Sequence, residues 1–161
     1  LLALLKNVLS HAYKEYQQLH QPDIVTRASR YLQKITGGRY DKLFLESQAA
    51  DAKLWLYDKR LGREIPLQDP LSLGLRDQVF LSIRLGIADH LDLQGESLPL
   101  LLDESMVNWD SSRRSRGLEL IRELSQHRQV ILFSFDESIA EELGVRAVHL
   151  NAAMTQKALS Q

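Results

Sequence analysis

Apolar residues recur every three or four positions over 1–19, at Leu1, Leu4, Leu5, Val8, Ala12, Tyr16 and Leu19. Lys6, Lys14, Glu15, Gln17 and Gln18 occupy the opposite side. That period predicts an amphipathic helix. Gln21-Pro22-Asp23 interrupts it, because the residue before a proline avoids helical backbone. A second amphipathic helix is predicted over 23–36, closed by Gly37-Gly38. The period then drops to two. "RYDKLFLES" and "AKLWLYDKR" alternate as strands, and "EIPL" returns after a turn at Gly62, which predicts a small β meander. "LRDQVFLSIRLGIADHL" (75–91) predicts a long helix with a nearly continuous apolar side. From there the order is helix, strand "LPLLLDE", helix "SSRRSRGLELIRELSQH", strand "QVILFSF", helix "DESIAEELG" and strand "VRAVHL". Both long apolar strands predict buried, parallel pairing, with helices on the faces of the sheet.

Composition changes this picture little. The 161 residues are 44% hydrophobic and 25% charged, which favours a globular chain over disorder. Twenty basic and 21 acidic side chains give a net charge of -1, which neither supports nor excludes nucleic acid. There is no cysteine, so disulfides and thiolate metal sites are excluded, and a reducing, cytoplasmic setting is expected. The opening "LLALLKNVLS" is too short to span a bilayer and lacks the flanks of a secretion signal. The chain starts without Met and in mid-pattern, which suggests a cut from something longer.

Two stretches carry candidate chemistry. "LPLLLDES" ends an apolar strand in Asp103 and Glu104. Ligands of open parallel sheets bind at the carboxyl ends of strands. One carboxylate there can hold a magnesium-bound water while its neighbour orients an attacking water. Taken alone, the pair is equally a cap on the following loop. A phosphoacceptor aspartate of the receiver type needs a downstream lysine, and the only one after Asp103 is Lys157 in the tail. "PLSLGLRDQ" places Ser72 and Gly74 before a helix whose first amides are free, which makes an anion site by geometry. Alone, it is an N-cap followed by a turn glycine.

Their order is more specific than either part. A Ser-x-Gly turn and long helix, a strand ending Asp-Glu, "MVNWD", a helix and "QVILFSF" follow one another. This series resembles the C-terminal lobe of ABC-type ATPase heads of the structural-maintenance-of-chromosomes (SMC) group, nearest to SbcC- and YhaN-like coiled-coil ATPases. "ITGGRY" after a coiled-coil-like helix is similar to the same group. The resemblance implies an α/β, P-loop NTPase-type C-terminal half. Residues 1–36 would be a coiled-coil root and linking helix, and 37–161 the lobe, with signature 71–78, Walker B 98–104 and D-loop 106–110. It implies that Ser72 and Gly74 contact nucleotide on an opposite head, that Asp103 organises Mg2+ through water, that Glu104 is the catalytic base, and that Asp110 ends the D-loop. Implied partners are a Walker A lobe of the same protein, a second head, DNA and a nuclease subunit, in DNA repair or chromosome maintenance.

Two departures stand out. Leu73 replaces the signature's usual middle glycine, and Leu75 a small or polar residue. The group carries a histidine after the last long strand to contact the γ-phosphate; here that place falls on Phe135 or Asp136. An aspartate there would repel phosphate, so slow turnover or a scaffold head is the alternative. His11, His20, His90, His127 and His149 all lie elsewhere. No G-x-x-x-x-G-K-[ST] loop occurs, and none of the seven lysines follows a glycine. In the resembled group that loop lies far upstream, across the coiled coil. The isolated chain is therefore expected to bind ATP weakly and not to hydrolyse it. Arg113, Arg114 and Arg116 form a basic cluster, read as a solvated face, with phosphate contact as the minority role.

Overall fold

The computed structural model describes residues 22–48, 51–92 and 97–150, so the predicted first helix lies outside the described residues. The elements are α1 (Asp23–Ile35), β1 (Tyr40–Gln48), β2 (Asp51–Asp58), β3 (Arg63–Pro66), α2 (Leu73–Asp92), β4 (Leu100–Asp103), α3 (Ser111–Leu124), β5 (Val130–Phe133) and α4 (Ser138–Leu143).

Helix α1 buries Val25, Ala28, Leu32 and Ile35, the stripe its period predicts. Its end needs both glycines: Gly37 and Gly38 have φ of 60° and 81°, and Gly38 N–H donates back to Gln33 O at 2.8 Å. A side chain would strain either position. The chain then enters β1, which pairs antiparallel with β2, and β2 with β3. Alternation puts Leu43 and Leu56 on the covered face, against Val25, Leu32, Leu75 and Val79.

Helix α2 is the spine. Leu75 and Val79 pack toward the meander, whereas Leu81 and Leu85 join a second core with Leu102, Met106, Trp109, Leu118, Ile121 and Ile139. Serving two cores explains its nearly continuous apolar character. A further set, Leu73, Phe80 and Ile87, recurs every seven residues on α2 and is exposed.

β4 and β5 pair in parallel, with Leu101 opposite Ile131 and Asp103 opposite Phe133. The expected burial on both faces is only half realised. Leu102 is buried on one face; on the other, Leu101 is 65% exposed and Ile131 and Phe133 are also open. Among the described residues this sheet has two strands, so nothing described covers its second face. Residues 145–150 correct a second expectation: they form no strand, and Val145, Val148 and Leu150 are exposed. An alternating segment becomes a strand only where a neighbour supplies the ladder hydrogen bonds. No helix of the described residues is long and apolar enough to cross a membrane.

Candidate nucleotide site

Asp103 ends β4 with its side chain exposed, on the same face as Leu101. Glu104 leaves the strand at once. Its φ is 42°, the only positive value outside glycine among the described residues. A non-glycine residue in this region costs about 1–3 kcal/mol and persists only where its surroundings hold it. Here Glu104 N–H donates to Phe133 O at 3.1 Å, and Glu104 Oε1 accepts the Phe135 N–H. The carboxylate is thus turned across the parallel pair to the end of β5. It lines an open cavity of about 460 Å³ together with Met106, Val107, Arg114, Phe135 and Asp136.

Both candidates for the switch position border that cavity, with different fates. The Phe135 ring is 96% exposed. The Asp136 carboxylate is engaged on both oxygens. Oδ1 accepts the Ser138 N–H and O–H, at 3.0 and 2.7 Å, and Oδ2 accepts from Arg114 Nη1 at 2.6 Å. The Ser138 hydroxyl and amide, with the Arg114 charge behind them, hold the Asp136 carboxyl below its ordinary range against the opposing effect of burial. Its charge is therefore paired rather than free beside the cavity.

Ser72, just before α2, lies on a separate groove, whereas Gly74 in the first turn of α2 is buried against Asn108. Ser72 Oγ accepts the Leu75 N–H at 3.3 Å, which leaves its hydroxyl proton free to donate. That groove also holds Arg39, Asp58, Arg63 and Arg113. The structure therefore does not gather Ser72, Gly74, Asp103 and Glu104 into one cavity. Segment 106–110 connects the two places instead. Met106 and Val107 line the Glu104 cavity, while Asn108 packs against α2. A Cβ on Gly74 would stand 2.4 Å from Asn108 O, and Asn108 Nδ2 donates to Asp77 Oδ2 at 2.8 Å. Asp110 then caps α3, its Oδ1 accepting the Arg113 N–H at 3.0 Å.

The resemblance took in Asp77, Gln78 and Asn108 within segments 71–78 and 106–110 but gave none of them a contact. Both amide atoms of Gln78 are buried without a hydrogen-bond partner among the described residues. A polar residue at an apolar position of α2 was the available signal. The arginine cluster also departs from the expected solvated face. Arg113 pairs with Asp110, Arg114 with Asp136 and Glu142, and Arg116 Nε donates to Ile35 O at 3.0 Å.

The hairpin wall of the Ser72 groove is pinned by Asp58, whose side chain is buried. Oδ2 pairs with Arg39 Nη2 at 3.1 Å, and Oδ1 accepts the Arg60 and Leu61 amides. Burial alone pushes this carboxyl up, but the Arg39 hydrogen bond and the two amides prevail and hold it below its ordinary value of 3.8. A depressed pKa contributes stability that is fully present above the ordinary value and is lost as pH falls through the folded one. Asp58→Asn is expected to cost about 1–3 kcal/mol at pH 7. It should also shrink the loss of stability between pH 4 and pH 2, as read from urea melts at each pH.

Among the described residues there is no group of three or more His, Cys, Asp or Glu side chains able to hold a metal ion. The donor set fits a hard cation that arrives with its own phosphates, since Mg2+ is commonly held by one or two carboxylates and a nucleotide.

Among solved structures, the chain is similar to one from a study of ATP-driven dimerization and DNA-stimulated activation of SMC ATPases. The TM-score is 0.63 at 16% identity, over 96% of this chain and 95% of that one. The Smc head domain of Pyrococcus furiosus, with an extended coiled coil and bound to the C-terminal domain of ScpA, gives 0.59 at 17% identity, over 96% of this chain and 39% of that one. That of Pyrococcus yayanosii, with a coiled coil and joint, gives 0.59 at 18%, over 96% and 30%. The fold is that of an SMC ATPase head, an α/β, P-loop NTPase-like fragment. In sequence the chain is similar to the uncharacterized protein YhaN of Bacillus subtilis strain 168, 27% identical over 142 residues. That match takes in 87% of this chain but spans only 14% of the relative. No protein-family model matches.

Proposed function

We propose that this chain is the C-terminal half of a bipartite ATPase head. A Walker A lobe of the same protein would complete it, and ATP would be bound and hydrolysed between two such heads, in DNA repair or chromosome maintenance. The observation that carries this is Glu104, held in left-handed backbone at the carboxyl end of a parallel strand, with its carboxylate beside an open cavity. Strain of this kind clusters at functional sites.

Three further observations support the division into halves. The second face of the β4–β5 sheet is apolar and open, whereas parallel sheets are covered on both faces. The phosphate loop is missing from the sequence. One chain in the SMC ATPase study is matched over 95% of its own length and the Pyrococcus furiosus head over 39%, so the likeness takes in a part of the larger head.

In this proposal residues 37–161 form the lobe, and the elements take these roles. Ser72 Oγ–H, with the positive end of the α2 dipole behind it, grips phosphate presented by the opposite head. Asp103 faces the Mg2+ that accompanies ATP, through water; the ion offsets phosphate charge when bound. Glu104 uses Oε1 to hold the Phe135 amide, which leaves Oε2 to orient water and take its proton. Asp110 shapes the end of segment 106–110, which links the two grips. DNA and a second head, named for the SMC ATPases of the similar structure, are proposed as partners here.

A second reading is a head that pairs on nucleotide without turning it over. The exposed Phe135 ring and the fully engaged Asp136 favour it, because neither offers a cation or imidazole to the γ-phosphate. ATP hydrolysis by the full-length protein separates the two. Turnover that depends on Glu104 supports the enzyme; ATP-dependent pairing without phosphate release supports the scaffold. The isolated chain is expected to show no hydrolysis, and micromolar ATP binding by it in calorimetry would overturn the half-head.

A further inference from the structure

Three elements meet at the loop between β5 and α4. Arg114, in the first turn of α3, reaches across to it: Nη1 donates to Asp136 Oδ2 at 2.6 Å, and Nη2 donates to Ser138 Oγ and, at 2.8 Å, to Glu142 Oε1. Asp136 in turn accepts the Ser138 amide, so its carboxylate also caps the start of α4. The loop is thereby held on one side by α3 and on the other by its own helix. One residue earlier, the Phe135 N–H points at Glu104 Oε1. That amide is the one polar contact described for the Glu104 carboxylate, and its direction depends on the course of residues 134–136.

We infer that Arg114 and Asp136 are a positioning pair for Glu104: by clamping loop 134–138 they aim the Phe135 amide, which fixes the carboxylate rotamer and leaves Oε2 toward the cavity. The inference rests on the ATPase reading for its catalytic consequence, but its structural content stands apart from it. It gives Asp136 a role other than phosphate contact. Its negative charge is satisfied by Arg114 and Ser138, and what it supplies to the site is the direction of its neighbour's amide. Arg114 lines the same cavity as Glu104, so ligand entering there meets a loop already tied down. The connection is through hydrogen bonds that are short in sequence on the Asp136 side and span 31 residues between Glu104 and Phe135.

The test uses the full-length protein with Asp136→Asn, Arg114→Lys and Arg114→Ala, beside Glu104→Ala. Asp136→Asn keeps an acceptor for the Ser138 amide, and Arg114→Lys keeps the charge but loses the two-pronged grip. The first readout is exchange of the Phe135 amide, which needs no catalysis. It should quicken about tenfold in Glu104→Ala, as expected for loss of a local hydrogen bond. Arg114→Ala and Asp136→Asn should quicken it by a similar factor, with Arg114→Lys intermediate. The second readout is ATP turnover: about tenfold lower kcat with KM within twofold of wild type in Asp136→Asn, as misplacement of a base predicts. Wild-type protection of the Phe135 amide in both Arg114→Ala and Asp136→Asn would overturn the pair, whatever the turnover. If the loss of protection is found but wild-type protein hydrolyses no ATP, the pair stands and the ATPase reading fails. If turnover is normal in Asp136→Asn while protection is lost, the amide does not aim the base, and the inference is overturned in its catalytic part.

Discussion

Glu104→Gln is expected to lower ATP turnover by the full-length protein about 10²–10⁴-fold, the range for removing a positioned general base. Nucleotide binding should survive. Gln is nearly the same shape and its amide oxygen still accepts the Phe135 N–H, so the left-handed turn and the cavity wall are retained. What is lost is the charge and the proton acceptor on the remaining oxygen. Binding without turnover would trap the ATP-bound state, and paired heads should accumulate on gel filtration with ATP and Mg2+. Wild-type rates of phosphate release in this variant would remove Glu104 from the chemistry.

Gly74→Ala is expected to have the second largest effect, through packing rather than chemistry. The new Cβ would lie 2.4 Å from Asn108 O and 3.4 Å from Asn108 C, both backbone atoms. Neither can swing aside as a side-chain tip would. The start of α2 must separate from segment 106–110, at a cost of about 1–3 kcal/mol for overpacking a close contact. The Asp77–Asn108 hydrogen bond should be lost with it. Because this contact joins the Ser72 groove to the Glu104 cavity, ATP-dependent pairing of heads should fall more than stability alone would require. Asp77→Asn, which keeps the site of the bond but not the charge, is the comparison. Thermal melts and light scattering with ATP measure the two effects. A Gly74→Ala protein that melts and pairs like wild type would show that the close approach carries no function.

Local patterns made much of the framework legible. The stripe of Val25, Ala28, Leu32 and Ile35 announced α1, and Gly37-Gly38 its end. Alternation around Leu43 and Leu56 announced the meander. In each case the decisive interactions lie within a few residues along the chain. The runs "LPLLLDE" and "QVILFSF" were legible as parallel strands but not as half-covered ones. An apolar run states that a strand prefers burial and says nothing about whether the covering atoms are in the same stretch of chain. "VRAVHL" shows the same limit, since its alternation has no ladder partner among the described residues.

For the site, the candidate carboxylates Asp103 and Glu104 and the Ser72-Leu73-Gly74 turn could be picked out by residue type and order alone, because a strand end and a helix start are local features. The sequence by itself determined most of the elements, the strand expected at 145–150 excepted, and which chemistry each can offer. Tertiary structure alone decided how these are connected: the positive φ of Glu104, the seating of Asn108 against Gly74 and Asp77, and the turning of Arg114 inward to Asp136. These depend on groups 22 to 34 residues apart meeting in space. Periodicity records a residue's preference for burial or exposure, but not which distant partner satisfies its hydrogen bonds, and that choice is made only when the helices and strands pack.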